Sequence, residues 1–418
     1  MKNYTLPSLN RFSYLLFFLL GSLSFLTSCE EEDPTRPLDA AAPPVIEAVR
    51  STRPDKPDST FTQSTLGSTI VIVGKNLAAT QYVVFNGFKT SINPVYATNT
   101  HLIVRIPDRV PTVATAATVP DELVVVNSKG EAKYTFKVLP PAPTVAGISN
   151  EYAKAGQTIT LYGNYFYFVK EVIFPGDISV ATGITATPNG EKLTVTVPAG
   201  VDGTKGDVIV VSESGKSGIS RRTKMYSGTG IIHNWDDVNG FGWGLDAGKK
   251  VTDTYPGFTA IENKFGVVDQ VVPGGWGWNN DKVISMSNWT TNRLIPAIAA
   301  PKYGADTPIN NFDLKMEIAA SGSDPLEGLE LLVWIPGTPV GTVEKSFALV
   351  NYVRSTDGTW YTFSVPLADL ATSGGAKMTK YGDLNPNEIR LVVQNPTAAG
   401  KPVKLAFDNF RIENMVIR

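Results

Sequence analysis

The sequence has one cysteine, two histidines and almost no net charge. Its 418 residues include 37 Lys and Arg against 39 Asp and Glu, for a formal net charge of −2. One cysteine excludes an intramolecular disulfide. A near-neutral balance gives no electrostatic reason to expect nucleic acid as a partner. His101 has no second ligand candidate near it in the sequence, and His233 has no recognisable Ser or Cys partner, so neither indicates a catalytic or metal site.

Long amphipathic helices and catalytic motifs are also lacking. No window has the 3.6-residue apolar period of a helix, and no Gly-x-Ser-x-Gly, His-Glu-x-x-His or P-loop pattern occurs. Acidic residues are plentiful, however, and two carboxylates about 5–10 Å apart suffice for glycoside hydrolysis. We expect a protein that is not an enzyme, with a polysaccharide hydrolase or lyase as an alternative. The 42% hydrophobic content predicts a globular chain of roughly two to four domains.

The N-terminus has the pattern of a signal peptide. A basic start precedes the apolar run at 14–20, which is too short to span a bilayer of about 30 Å. Small residues follow, so a signal peptide is predicted over 1–28. Leu26-Thr27-Ser28-Cys29 closes the segment and resembles the lipobox of bacterial lipoproteins, which implies lipidation of Cys29. An unmodified buried cysteine is the alternative.

An acidic run, Glu30-Glu31-Glu32-Asp33, follows the cysteine directly. It resembles the signal that sends lipoproteins of the Bacteroidota to the outer face of the outer membrane. A solvated linker is the alternative. The segment 29–42 also contains Pro, Ala and Thr without apolar periodicity, so we expect it to be an extended tether.

From residue 43 the sequence changes to short β-branched runs separated by Gly, Asn and Pro, which is typical of strands and turns. The same order of signals occurs twice and predicts two tandem domains, at 43–139 and 140–226. The matching segments are 44–46 with 143–145, 67–76 with 156–164, 83–85 with 172–174, and 102–107 with 192–198.

This repeated pattern resembles the IPT/TIG family of immunoglobulin-like domains. The glycine of Gly74-Lys75-Asn76 and Gly163-Asn164 occupies that family's turn, where a strand exit requires positive φ or a close backbone approach. The resemblance implies two β-sandwiches used as spacers.

The third segment, 227–418, is longer, and its alternating runs predict about eight to ten strands in a larger β-sandwich of the jelly-roll type. Trp360 with Pro366-Leu367, and the later Phe407-Asp408-Asn409, are similar to galactose-binding-like jelly rolls found in many carbohydrate-binding modules. The whole chain is therefore expected to be all-β.

With the lipobox and the tandem domains, this order resembles surface glycan-binding proteins of Bacteroidota polysaccharide-utilisation loci. The resemblance implies a polysaccharide ligand such as xyloglucan or another β-glucan. It also implies an outer-membrane transporter and a surface glycoside hydrolase as partners, and a location on the cell exterior. A surface adhesin that binds protein is the alternative.

All seven tryptophans lie between Trp235 and Trp360. A tryptophan ring can stack on the apolar face of a sugar, and at about 25 cal/mol per Å² such a contact contributes roughly 1–3 kcal/mol. Trp276 and Trp278 lie in a glycine-rich segment and point to the same side of an extended backbone. We interpret them as a binding platform, with a local aromatic corner packed on the sandwich as the alternative. Trp289 has similarly polar neighbours.

Trp334 falls on the polar side of a predicted strand, together with Glu330, which fits a sugar-binding groove; packing beneath a loop is the alternative. Tyr303 and Tyr352 are further candidates. Packing in the core or along a domain boundary is expected for three others, which are Trp235, Trp243 and Trp360.

No organic cofactor is expected. Asp408 occupies a position where related jelly rolls often place a calcium ligand, and Asp236 and Asp237 are candidates to join it. Calcium takes six to eight oxygens, so the presence of a metal is left open.

Overall fold

The computed structural model describes residues 40–53, 55, 59–236, 251–275, 303–385 and 387–416, and the backbone of 283–285. Strands and short 3-10 helices make up the regular structure of these residues, which confirms the all-β fold. The chain divides into two compact units, Met1–Leu139 and Pro140–Arg418. None of the described helices is long and apolar enough to cross a membrane.

The first unit is a β-sandwich, called here the first sandwich. Three strands form one sheet in the order β1-β3-β6, four form the other in the order β5-β4-β7-β8, and β2 pairs with β9 in parallel. Residues alternate between core and solvent along the strands, and the inward ones form a single apolar core that includes Ile72, Phe85 and Phe136. The strands are β1 (Val45–Ser51), β2 (Gln63–Thr65), β3 (Thr69–Lys75), β4 (Thr80–Phe85), β5 (Phe88–Ser91), β6 (His101–Arg105), β7 (Glu122–Asn127), β8 (Gly130–Thr135) and β9 (Lys137–Leu139).

The second unit begins with another sandwich of the same kind, the second sandwich. Its sheets have the orders β10-β11-β15-β14 and β13-β12-β16-β17. Its core contains Leu161, Phe166 and Phe174. The strands are β10 (Thr144–Ile148), β11 (Thr158–Asn164), β12 (Val169–Phe174), β13 (Ile178–Val180), β14 (Thr185–Ala186), β15 (Lys192–Thr196), β16 (Ile209–Ser212) and β17 (Gly215–Lys216).

The repeated glycine has the same structural role in both sandwiches. A Cβ on Gly74 would lie 1.8 Å from the Val45 carbonyl oxygen, and one on Gly163 would lie 1.9 Å from that of Thr144. In β1 and in β10, a β-bulge follows directly after the residue that is paired with this glycine. The glycine is required because the backbones approach closely.

The rest of the second unit is a larger sandwich, the C-terminal sandwich. Its six-stranded sheet has the order β19-β20-β27-β22-β25, with β18 also pairing with β27, and its four-stranded sheet has the order β21-β26-β23-β24. The strands are β18 (Ile231–His233), β19 (Val251–Thr252), β20 (Phe265–Val272), β21 (Val283–Ser285), β22 (Phe312–Ser321), β23 (Glu330–Thr338), β24 (Gly341–Ala348), β25 (Asp357–Pro366), β26 (Arg390–Gln394) and β27 (Lys401–Asn414).

The core between these two sheets is formed by inward residues such as Leu314, Val333 and Phe407. Trp235 is completely buried in it. Trp360 is buried on the outer side of the six-stranded sheet, where its Nε1 donates to the Thr259 carbonyl 2.7 Å away. The predicted packing roles of both rings are confirmed, whereas Trp243 lies outside the described residues.

The described helices are short 3-10 turns that connect the strands. They are Pro94–Tyr96, Ile309–Asn311, Leu349–Asn351, Leu367–Asp369 and Tyr381–Asp383.

Candidate functional site

Three of the six predicted sugar-binding residues fall within the described part of the chain. Trp334, Tyr303 and Tyr352 do, whereas the other three and the lipidation candidate lie outside it. The residues outside are Trp276, Trp278, Trp289 and Cys29.

Trp334 lies on the outer face of the four-stranded sheet. Along β23, Leu331, Val333 and Ile335 enter the core, so the alternate residues face away from it. The Trp334 ring is partly buried and packs against Leu332 of its own strand and Val392 of β26. The strand assignment predicted from the sequence is correct, and the ring keeps part of its surface in solvent.

Arg390 is a charged partner of this ring. Residue 390 pairs directly with residue 334 across β26 and β23, and the guanidinium carbon lies 4.7 Å from the centre of the Trp334 ring. Its Nε also donates to the Glu388 carboxylate. A cation over a tryptophan face contributes about 0.5–2 kcal/mol. The pair therefore fixes an aromatic surface beside charged hydrogen-bonding groups.

Polar side chains continue along this outer face. In the strand register, Glu330 pairs with Gln394 of β26, and Ser346 of β24 pairs with Leu332. The Ser346 hydroxyl lies 3.1 Å from Gln394 Oε1 and donates to it. Arg390 and Gln394 are themselves buried, whereas Glu330 is partly exposed and Ser346 is exposed. A partly exposed indole beside such polar groups is a combination that can stack on a sugar ring and hydrogen-bond its hydroxyls.

Tyr303 and Tyr352 lie elsewhere in the sandwich. The Tyr303 ring centre is 5.1 Å from that of Phe312, and the Tyr352 ring centre is 4.6 Å from that of Phe363. Both partners are buried core residues, and both tyrosines pack against the core from which Trp334 points away. The structure therefore does not bring these three aromatic residues together into one platform.

The outer face of the six-stranded sheet is different, since part of it is charged and buried. Lys315 and Glu317 of β22 and Arg411 of β27 are fully buried there. Arg411 binds Glu317 through two hydrogen bonds, of 2.6 Å from Nη1 and 3.0 Å from Nη2. The Lys315 ammonium lies 3.1 Å from the Glu413 carboxylate. Buried charges are retained only when paired in this way.

The second sandwich contributes a further carboxylate to this group. Glu151, from the turn after β10, places its Oε2 2.5 Å from the Lys315 ammonium and 3.7 Å from Arg411. Burial raises the pKa of Glu151 above its ordinary value, although Lys315 opposes the shift. We call the five residues the charged seam; they are Glu151, Lys315, Glu317, Arg411 and Glu413.

Further contacts join the second sandwich to the same sheet. The Thr362 amide of edge strand β25 donates to the Ser149 carbonyl at 2.8 Å, and the Glu151 amide donates to the Thr362 hydroxyl at 2.8 Å. Arg221 pairs with buried Asp313 at 2.6 Å. The second sandwich thus covers a sheet edge as well as a charged face, which is more than the spacer role predicted for it.

Asp408 lies near this seam and was the metal candidate. Burial raises its pKa to about 8, and nearby Glu317 adds to the shift. One of its oxygens accepts a hydrogen bond of 2.7 Å from the Asn409 amide. Within the described ranges, no group of three or more His, Cys, Asp or Glu residues is arranged to hold a metal ion. Asp237 lies outside those ranges.

Sequence reasoning missed Arg390 and Glu151. The register of β23 with β26 joins residues more than fifty positions apart, so no local pattern gives it. Glu151 occurs in a turn, where an acidic residue normally indicates solvent. A partial signal was present at Lys315 and Glu317, which alternate with apolar residues on one strand and predict a polar face.

The C-terminal region is similar to a known protein family. Residues 225–414 match the family described as the surface glycan-binding protein B xyloglucan-binding domain. An IPT/TIG domain-containing protein of Bacteroides ovatus is 32% identical over 198 residues, which is 44% of this chain and 39% of that protein. The match therefore spans well under half of that relative's length.

A solved structure extends the comparison to the fold. The surface glycan-binding protein PbSGBP-B from Prevotella bryantii aligns with a TM-score of 0.61 at 19% identity, over 90% of this chain and 100% of that one. At this identity the alignment shows a shared fold. The matches confirm the predicted resemblance to surface glycan-binding proteins with IPT/TIG domains.

Proposed function

We propose that this chain is a cell-surface lipoprotein that captures a polysaccharide, such as xyloglucan or another β-glucan, for an outer-membrane uptake system. The match of residues 225–414 to a xyloglucan-binding domain family is the observation that carries the proposal. The partly exposed Trp334 ring beside Arg390 supports it, because it supplies a stacking surface with charged hydrogen-bonding groups next to it.

Binding by stacking requires no bond chemistry. The ring buries the apolar face of one sugar unit, for roughly 1–3 kcal/mol. Since each 1.4 kcal/mol is a factor of ten in affinity, two or three such rings give micromolar binding to a chain of sugars. Trp276, Trp278 and Trp289 are proposed as the additional rings. Tyr303 and Tyr352 pack elsewhere in the sandwich, so they are proposed as sugar contacts away from the Trp334 surface. The more exposed polar groups on this face, Glu330 and Ser346, would select among sugars through their hydroxyls.

The rest of the chain is proposed to deliver this surface to the cell exterior. Lipidation at Cys29 would anchor the mature chain to the outer membrane, since buried acyl chains contribute about 0.8 kcal/mol per methylene. The tether 29–42 and the domains 43–139 and 140–226 would raise the domain 227–418 above the membrane. An outer-membrane transporter and a surface glycoside hydrolase are the proposed partners.

Affinity electrophoresis tests the proposal directly. The full mature chain is run through gels that contain xyloglucan, mixed-linkage glucan or galactomannan, and we expect retardation in at least one β-glucan gel. A carbohydrate-free gel is the control. No retardation across a broad glycan panel would contradict the proposal and favour a protein-binding adhesin. New reducing ends in the retarding glycan after incubation would instead identify a hydrolase.

Surface location and anchoring are tested separately. Radiolabelled palmitate should label the wild-type chain but not Cys29→Ser, and protease treatment of intact cells should remove the wild-type protein. Label on Cys29→Ser would contradict the anchor, and protection from protease would contradict exposure at the cell exterior.

A further inference from the structure

A cleft of about 390 Å³ lies where the second sandwich meets the C-terminal sandwich. It belongs to neither the Trp334 surface nor the core. Binding sites for small molecules range from about 300 to 1,000 Å³ and are frequent at domain boundaries. This cleft is therefore large enough for one or two sugar rings but too small for an extended chain. The second sandwich lines it with Thr204, Asp207 and Lys224, and the C-terminal sandwich lines it with Tyr303, Glu413 and Asn414.

Tyr303 gives the cleft a fixed aromatic wall. Its ring packs edge-on against Phe312 and Tyr381, with centre-to-centre distances of 5.1 and 6.0 Å. These core contacts hold the ring in place, while the residue stays partly exposed and lines the cleft. An aromatic ring that is already ordered loses little conformational entropy when a sugar stacks on it.

Glu413 lines the cleft but belongs to the charged seam. The residue is only 6% exposed, and its Oε1 is fully buried, 3.6 Å from Arg411 Nε. Its Oε2 lies 3.1 Å from the Lys315 ammonium. Both oxygens are therefore paired with cations of the seam, and the hydrogen-bonding groups that face the cleft come from its other lining residues.

The remaining polar groups are held in place by the protein. The Thr223 hydroxyl donates to Asp207 at 3.1 Å, and Lys224 donates to the Val416 carbonyl at 3.1 Å. Apart from the paired Glu413, the charged lining residues are Asp207 and Lys224, which have opposite signs, so the lining favours neither an anionic nor a cationic ligand. An uncharged ligand rich in hydroxyl groups fits this lining best.

We propose that this cleft is a second saccharide site, which binds one or two neutral sugar units of a branch or chain end against Tyr303, with Asp207, Lys224 and Asn414 bonding their hydroxyls. The inference rests on the proposed function, because it assumes that polysaccharide is the natural ligand. It assigns a binding role to the boundary between the sandwiches that is additional to the stacking surface at Trp334.

Saturation-transfer NMR on the full mature chain, with glucose, xylose and galactose as separate probes, tests the site. We expect saturable binding of at least one probe with a Kd on the order of a few millimolar, as a ligand of this size allows. Thr204→Trp fills the cleft from an exposed position and should weaken that binding at least tenfold. Lys216→Trp adds the same ring at an exposed position on the same sandwich outside the cleft, and should leave binding unchanged.

Lys224→Met serves as a second variant, because it removes a polar wall with less change in volume. It should weaken the same probe by several-fold. If none of the three probes binds, or if both cleft variants bind like the wild type, the inference is wrong.

Gel retardation separates this result from the proposed function. Retardation of the wild type by a β-glucan gel without any effect of the cleft variants on monosaccharide binding would overturn the cleft and leave the function standing. A wild type that is retarded by no glycan and binds none of the three probes would overturn both the cleft and the proposed function.

Discussion

The two sheets of the C-terminal sandwich both have outer faces that depart from ordinary polar surface, but in opposite ways. The six-stranded sheet presents the charged seam, whose Lys315 and Arg411 are buried beneath the second sandwich. The four-stranded sheet presents Trp334, which is partly exposed next to Arg390. One face is covered by a neighbouring domain, whereas the other leaves an aromatic ring partly exposed. Buried charge on the first face follows from docking, since its charged groups are paired across the boundary.

The comparison also separates two uses of arginine. Arg411 binds a carboxylate through two hydrogen bonds inside the seam, where both partners lose water. Arg390 lies over an aromatic face while its Nε bonds Glu388. A guanidinium is suited to both because it is planar and weakly hydrated. The first arrangement fixes the position of a domain, and the second fixes the position of a ring.

The largest effect is expected from removing the ammonium group of the charged seam. Lys315→Met should destabilise the unit Pro140–Arg418 by about 3–5 kcal/mol, because the carboxylates of Glu151 and Glu413 stay buried without their shared cation. Urea unfolding of the full chain measures the loss. A change below about 1 kcal/mol would mean that solvent reaches the seam, and the contrast between the two faces would fail.

Asp408→Asn is expected to change the free energy of unfolding by a smaller amount and in the opposite direction, toward greater stability. Burial raises the pKa of Asp408 from 3.8 to about 8. Between those pH values the folded state holds a proton that the unfolded chain has lost, so stability falls as pH rises through this window. Removing the group should stabilise the protein near pH 7 by on the order of 2 kcal/mol, with a gap that widens from pH 4 to pH 8.

Melting curves of the wild type and of Asp408→Asn between pH 4 and pH 9 measure this difference in stability. The asparagine can still accept the bond from the Asn409 amide, so the local turn is preserved. A gap that does not change with pH would contradict the raised pKa.

On the other face, Trp334→Ala should weaken polysaccharide binding at least tenfold, or about 1.4 kcal/mol. The melting temperature should change by no more than about 2 °C, since the ring is only partly buried. Tyr96→Ala is a matched control, because it removes an aromatic ring that is 54% exposed in the first sandwich. Affinity electrophoresis and a melting curve decide whether Trp334 has a binding role or a packing role. A large fall in melting temperature with unchanged binding would show that Trp334 is a packing residue.

The smallest effect is expected for a surface ion pair. Lys345 lies 3.2 Å from Asp369, and both side chains are 44% exposed. Lys345→Met should change the free energy of unfolding by less than about 0.5 kcal/mol. Compared with Lys315→Met, it isolates burial as the cause, because the same change is made in both. Equal losses in the two variants would contradict this explanation.

Local pattern predicted the parts of the fold that depend on local chemistry. Alternation placed Trp334 on the outer side of its strand, and the repeated glycines marked the close approach at Gly74 and Gly163. The packing of Trp235 and Trp360 was also predicted correctly.

The parts that depend on distant pairing were not predictable in this way. The position of Arg390 over Trp334 requires the register of two strands, and the burial of Glu151 requires the second sandwich to dock against β22. Tyr303 and Tyr352 were grouped with Trp334 by residue type alone. Their contacts with Phe312 and Phe363 depend on packing that no single strand pattern encodes.

Strand β27 lies inside the six-stranded sheet, between β20 and β22, although it is made after both. Until residues 401–414 have been synthesised, the strands on either side of the gap present unpaired backbone and apolar side chains. Such edges favour aggregation. We therefore expect the emerging polypeptide to need a holding chaperone until this strand is available, with closure of this sandwich as a late step in its biogenesis.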